Sequence, residues 1–294
     1  MNRFQKGEKM TDVKKELEYE KLMKEYHGFL DANMSLDMSR GKPCKAQEQL
    51  ILPMLDVVNS KTDFDNVVEE NVLNYGHGFG IKSAKKLMAE ILGLTEDDVI
   101  VGGNSSLNLM YDLLSQLFFV PRISKAWKDL EKVKFICPVP GYDRHFAILE
   151  HFGIEMLTVP MTPTGPDMAL VKELVKDEAV RGMFVVPKYS NPTGVTFSDK
   201  TVRGLAQMQT AADDFIILWD NAYALHDLYD EGENLLDILE ECKKAGNPDR
   251  VVIFTSTAKI TFAAGGICAL ASSPNNLEYI KKRMNTQIIG HDKI

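Results

Sequence analysis

Apolar positions along the chain fall into two alternating kinds of run. Short, nearly unbroken stretches rich in β-branched and aromatic residues recur at 98–101, 134–138, 155–159, 182–187, 215–219, 250–254 and 267–271. Each predicts a strand. Between them, apolar residues return at helical spacing over 81–92, 107–119, 144–152, 168–176, 200–212, 235–245 and 274–284, which predicts helices. The Pro/Thr/Gly-rich stretch 160–166 reads as a loop. Residues 11–30 form a charged helical pattern with Val13, Leu17, Met23, Tyr26 and Leu30 available for one face. Strands alternating with helices imply an α/β fold with a mainly parallel sheet and helices on both faces. The expected division is an N-terminal arm over residues 1–55, with part of a smaller lobe, followed by one large domain over 56–294.

Composition narrows the picture without changing it. The 294 residues are 45% hydrophobic and 26% charged, sufficient for one large buried core. A net charge of −8 argues against nucleic acid, which calls for a basic stripe. Cys44, Cys137, Cys242 and Cys268 show no CxxC spacing, and Cys137 and Cys268 lie in apolar runs, as buried free thiols of a reducing compartment do. The N-terminus lacks the apolar core of a signal peptide, and no apolar run nears the ~20 residues a membrane span needs. A cytoplasmic location is the expectation.

Candidate chemistry gathers where the expected strands end, which is where open α/β sheets bind ligands. Lys259 follows the run 250–254 through Thr255, Ser256, Thr257 and Ala258; it either flanks a turn or, desolvated at the strand end, is a nucleophile for Schiff-base chemistry. Gly102, Gly103, Asn104, Ser105 and Ser106 link a strand to a helix, and such serines either cap the helix or help its N-terminus hold a phosphate. Tyr142, after Pro140 and Gly141, is either a core tyrosine or a stacking platform for a flat ring. Asn191-Pro192-Thr193-Gly194 favours a fixed turn that holds out the asparagine amide. Asp220 closes the most apolar strand, two residues before Ala222 and three before Tyr223, and a carboxylate there either caps the next turn or, buried, demands a cation or donors.

Two glycine-marked stretches are less telling. Gly41, in Leu36–Pro43, either lets backbone N–H groups approach a carboxylate or marks a turn. The run Asn74 to Gly80 has glycine spacing without the preceding strand of a dinucleotide site, and His77 has no partners at metal-ligand spacing.

Taken together and in this order, Gly103-Asn104-Ser105-Ser106, Pro140-Gly141-Tyr142, Asn191-Pro192-Thr193-Gly194, Asp220 with Tyr223, and Ser256-Thr257-Ala258-Lys259 resemble fold-type I pyridoxal-phosphate enzymes of the class I/II aminotransferase family. Arg40-Gly41-Lys42-Pro43 and Tyr142 to Phe146 are similar to its divergent bacterial aspartate aminotransferase subgroup. The resemblance runs from about residue 35 onward. It implies a PLP-transferase-like three-layer fold and, as cofactor, pyridoxal 5'-phosphate on Lys259. Asp220 is implied to pair with the ring nitrogen, Asn191 and Tyr223 to contact the phenolic oxygen, and Tyr142 to stack. Ser105, Ser106 and Ser256 would hold the phosphate, joined by Tyr75 from a neighbouring subunit, which implies a homodimer. Gly41 and Asn191 would contact the substrate.

The implied reaction moves an amino group from an amino acid, aspartate in that subgroup, to a 2-oxo acid such as 2-oxoglutarate. A fold-type I lyase or decarboxylase shares the same ring-binding set, and a non-catalytic cofactor-binding fragment is a third reading. Two departures stand out. Ile267 occupies the position eight residues after Lys259 where many relatives carry a phosphate-binding arginine; the subgroup tolerates an aliphatic residue there. The family's C-terminal lobe, with its substrate-carboxylate arginine, has no counterpart before Ile294. The sequence therefore reads as C-terminally truncated, the small lobe largely absent, with little transamination expected of this chain itself. Arg283, in a charged helix, reads as a surface residue.

Overall fold

The computed structural model describes residues 12–35, 43–64 and 70–294. The stretch from Leu36 to Lys42, with Gly41, lies outside them. The chain divides into two units, residues 1–42 and 43–294. In the first, helix α1 (Asp12–Asp31) exposes Val13, Leu17, Leu22, Tyr26, Phe29 and Leu30.

The second unit is built on an eight-stranded sheet: β1 (Val99–Val101), β2 (Lys134–Val139), β3 (Glu155–Thr162), β4 (Gly165–Pro166), β5 (Val180–Val185), β6 (Ile216–Asp220), β7 (Val251–Ser256) and β8 (Cys268–Ser272). The strand order is β1-β8-β7-β6-β5-β2-β3-β4. From β3 through β2, β5 and β6 to β7 every pairing is parallel. Strand β8 runs antiparallel to both β7 and β1, so β1 points the same way as β7. The ends of β1, β2, β5, β6 and β7 thus open on one edge.

Period-two alternation sends each central strand's side chains to opposite faces. Ile217, Trp219, Val251 and Ile253 face one cluster, while Ile216, Leu218, Val252 and Phe254 face the other. The first cluster is covered by α3 (Lys82–Leu92), α6 (Met168–Leu174), α7 (Asp199–Gln207) and α8 (Ile238–Lys244). The second lies under α4 (Ser106–Phe119), α5 (Asp143–His151) and α9 (Pro274–Gln287). A sheet covered on both faces explains why its strands read as unbroken apolar runs. The buried thiols of Cys137, Cys242 and Cys268 are each pushed up to about 12 by desolvation, and all four cysteines are free. No helix among the described residues is long and apolar enough to cross a membrane.

The expected strands and large helices are present, with instructive differences. The loop expected at 160–166 contains the end of β3 and the two-residue β4, paired through Met161–Pro166 and Thr162–Gly165. Helix α7 stops at Gln207, where Met208 turns extended and Ala211 donates its N–H to the Val175 carbonyl. A short helix α2 (Lys45–Ile51), all of it on the surface, had no predicted counterpart. Arg283 is not a free surface residue: it donates to Asp112 Oδ1 at 2.7 Å and is half-buried between α9 and α4.

At the N-terminal edge of the sheet, Asp214 accepts from Trp127 Nε1 and from Arg181 Nη1, both at 2.7 Å, while its carbonyl accepts from Arg122 Nη2 at 2.6 Å. This buried network fixes the edge opposite the candidate site. Gly182 pairs with Phe135 on one side and Ile216 on the other. A Cβ added there would stand 2.5 Å from both the Ile216 carbonyl oxygen and the Phe135 ring. Gly182→Ala is expected to cost ~1–3 kcal/mol in urea denaturation by overpacking, part of it recovered in the double variant with Phe135→Leu.

Candidate active site

Asp220 ends β6 with 5% of its surface exposed. One carboxylate oxygen, Oδ2, lies 3.0 Å from Nε2 of buried His145, close enough for imidazole to donate and carboxylate to accept. The other, Oδ1, is buried and without a hydrogen-bond partner. His145 itself is held by its neighbours. Its ring stacks flat on Phe184 at 4.4 Å and 8°, and Tyr142 meets it edge-on at 5.1 Å. Tyr142 is the N-cap of α5, which brings His145 inward on the same turn-spaced face as Ile148 and Leu149. That spacing was the available signal for His145, whose pairing with Asp220 the sequence reading did not anticipate.

Tyr223 follows in the loop after β6, half-buried, with the Asn191 side chain close by. Burial raises the Tyr223 phenol above its ordinary value, with the neighbouring Asn191 side chain opposing. Lys259 Nζ sits over the Tyr223 ring, 4.6 Å from its centroid. His226 approaches the same ring edge-on at 5.6 Å, and both of its nitrogens are buried without a hydrogen-bond partner. Desolvation and then the Lys259 charge lower its pKa.

The expectation that Lys259 is desolvated is corrected: its side chain is exposed. Strand β7 ends at Ser256, and the turn that follows, closed by hydrogen bonds from the Ile260 and Thr261 N–H groups to the Thr257 carbonyl, carries the lysine out onto the open edge. Ser256 Oγ there accepts from the Ala258 N–H at 3.1 Å.

Ser105 is the N-cap of α4 with no side-chain cap bond, and Ser106 is the helix's first residue. Their loop is tied twice to the first residue of β8 and once to the lysine loop: Gly102 N–H to the Cys268 carbonyl at 2.9 Å, Cys268 N–H to the Gly103 carbonyl at 2.9 Å, and Asn104 Nδ2 to the Ala264 carbonyl at 3.4 Å. A 560 Å³ cavity opens beside Gly103, Asn104, Gly265, Gly266 and His291. Tyr75 stands apart, with 84% of its surface exposed. Gly41 lies outside the described residues. His77 belongs to a loop, with φ of 54°, and among the described residues no group of three or more His, Cys, Asp or Glu side chains could hold a metal ion.

The structure therefore brings Tyr142, Asn191, Asp220, Tyr223 and Lys259 to one place. A buried acceptor, a phenol–amide pair, a second tyrosine ring and an amine are chemically suited to a flat cationic ring. Serines and backbone N–H groups lie toward the other end of the same edge, suited to an anionic tail.

Comparison with known proteins bears on this arrangement. The family model described as aspartate amino-transferase matches residues 8–294. A curated aspartate aminotransferase of Corynebacterium glutamicum is 41% identical over 283 residues, covering 94% of this chain and 64% of that protein. The chain thus spans somewhat less than two thirds of that relative. A crystal structure of an aspartate transaminase from the same species superposes with a TM-score of 0.88 at 40% identity, over 97% of this chain and 68% of that one. An α-aminoadipate aminotransferase of Thermus thermophilus, solved with N-(5'-phosphopyridoxyl)-L-leucine, shares the fold at a TM-score of 0.62 and 21% identity, over 84% of this chain and 57% of that one.

Removing the His145 imidazole would leave both Asp220 oxygens without partners in a buried setting. His145→Ala is expected to lower stability by ~1–3 kcal/mol, read by urea denaturation of the unloaded protein. A change within ~0.5 kcal/mol, the range of an ordinary surface substitution, would mean that the pair does not support Asp220.

Proposed function

The chain belongs to the aspartate amino-transferase family, and from that premise we propose that the whole protein transfers an amino group from aspartate to 2-oxoglutarate with pyridoxal 5'-phosphate. The observation that carries the cofactor assignment is Asp220. Its buried Oδ1 lacks a partner while the opposite oxygen is held by His145, which suits an acceptor waiting for a protonated ring nitrogen.

The other roles follow from placement. Asn191 and Tyr223 would donate to the phenolic oxygen, and Tyr142 would cover a ring face. Ser105, Ser106 and Ser256 would hold the phosphate with the N-terminus of α4. Exposed Tyr75 would reach the phosphate in a second copy of the chain, so that the working unit is a homodimer with shared sites. The substrate would meet Asn191 and the backbone at Gly41. The large cofactor-binding domain would extend over residues 56–294.

When bound, pyridoxal phosphate supplies an electron sink for the pair released at the substrate's Cα. The protein's part is proton handling and orientation. The Lys259 amine, seated over the Tyr223 ring, would take the Cα proton and return it one position away. Asp220, kept in place by His145, would hold positive charge on the ring. Preference for aspartate is supported by the aspartate transaminase relatives at 40% and 41% identity.

Mixing the chain with pyridoxal phosphate is expected to produce a visible absorption band that Lys259→Ala abolishes. In a protein spanning the full length of the relatives, aspartate should bleach the band and 2-oxoglutarate restore it. Release of ammonia or carbon dioxide instead would assign a lyase or a decarboxylase, and a band indifferent to every amino acid would leave cofactor binding alone.

A further inference from the structure

The loops that follow β5 and β6 are joined twice. The inner joint is the approach of the Asn191 side chain to the Tyr223 phenol. The outer joint is built on Asp227, which the sequence did not mark. Its Oδ1 accepts from Tyr189 Oη at 2.6 Å and pairs with Lys188 Nζ at 2.9 Å. Lys188 is buried, 7% exposed, and also donates to the Ala224 carbonyl at 3.1 Å. Tyr189 Oη in turn accepts the Glu233 N–H at 3.2 Å. One carboxylate therefore gathers two consecutive residues of the first loop, and the second loop closes back over them.

Two further observations show that this joint is built under constraint. Tyr189 has φ of 49°, a left-handed conformation that a side-chain-bearing residue adopts only where its surroundings hold it. Gly232 passes so close to Asp227 that an added Cβ would lie 2.5 Å from Oδ2 and 2.6 Å from Cγ. Hydrogen bonding from Tyr189, and then Lys188, draws the Asp227 carboxyl below its usual range, as expected of a carboxylate held by donors.

Asn191 lies two residues beyond Tyr189, and Tyr223 four residues before Asp227. We propose that Asp227 is a positioning residue: by locking the loop after β5 to the loop after β6, it sets the Asn191–Tyr223 pair. The clamp stands on its own geometry; its consequence at a bound cofactor rests on the function proposed above. Asp227 acts through Asn191 and Tyr223, without contact to the reacting atoms.

The test uses Asp227→Asn, Tyr189→Phe and Gly232→Ala in the full chain, with two readouts. Hydrogen exchange of the unloaded protein follows the Ser190 N–H, bonded to the Val195 carbonyl at 2.9 Å, and the Gly194 N–H, bonded to the Ser190 carbonyl at 2.6 Å. Both are expected to exchange roughly tenfold faster or more in Asp227→Asn and in Gly232→Ala. With pyridoxal phosphate added, the pH midpoint of the visible band should move by about half a unit or more, since the phenol–amide pair tunes it. Faster exchange confined to residues 227–233, with Ser190, Gly194 and the midpoint unchanged, would reduce Asp227 to a local brace and overturn the proposal. Should Asp227→Asn fail to fold, Tyr189→Phe removes one bond of the clamp and is read in the same way. If the wild type gives no band, the functional reading falls while exchange still decides the clamp.

Discussion

Placing a carboxylate at the buried end of a strand is costly unless donors or a cation meet it, and the architecture around Asp220 follows from that constraint. His145 meets one oxygen. To hold that imidazole, Phe184 lies flat against it and Tyr142 stands on edge, which in turn fixes the start of α5. The remaining oxygen is buried without a partner. A polar atom kept buried and unsatisfied is tolerable where a ligand completes it, so the same feature that strains the unloaded fold defines what the fold receives.

Backbone geometry organises the rest of the edge. Strand β8 reverses direction between β1 and β7, and the reversal puts its first residue between two functional loops. Cys268 exchanges backbone hydrogen bonds with Gly102 and Gly103, and its neighbour Ile267 with Thr257. The loop after β1 and the lysine loop are thus parts of one small hydrogen-bonded plate. The phenol–amide pair belongs to a different piece, the adjoining loops of β5 and β6.

Much of this was legible in the chain because a doubly covered sheet leaves a plain trace: apolar runs as short as 98–101, those of β1, β2, β5, β6 and β7 followed by polar residues at one edge. Asp220, Tyr223, Asn191 and Lys259 could be picked out because strand ends are where such side chains converge. What resisted reading depends on distance between segments. The pairing of His145 with Asp220 joins residues 75 apart, and Asp227 meets Tyr189 across 38. Strand β4 is a Gly-Pro pair with no strand propensity of its own, and it exists because β3 offers it a partner. The exposure of Lys259 was misread because the end of a buried strand does not fix the direction of the turn that follows. Arg283 carried the charge of a surface residue, and only the packing of α9 on α4 shows it bound to Asp112.

The plate beneath Lys259 also separates neighbouring positions by what each asks of a side chain. Ile267 is held through its main chain: its carbonyl accepts from the Thr257 N–H and its N–H donates to Thr257 Oγ1. That joint is made by the main chain, while the Ile267 side chain packs against the first apolar cluster. One step earlier the rule inverts. Gly266 has φ of 77°, and a Cβ would fall 2.6 Å from Thr257 Oγ1 and 2.7 Å from Thr261 Oγ1. Adjacent residues of one loop thus meet opposite demands, one using its side chain to seat the loop on the core and the other leaving room for none.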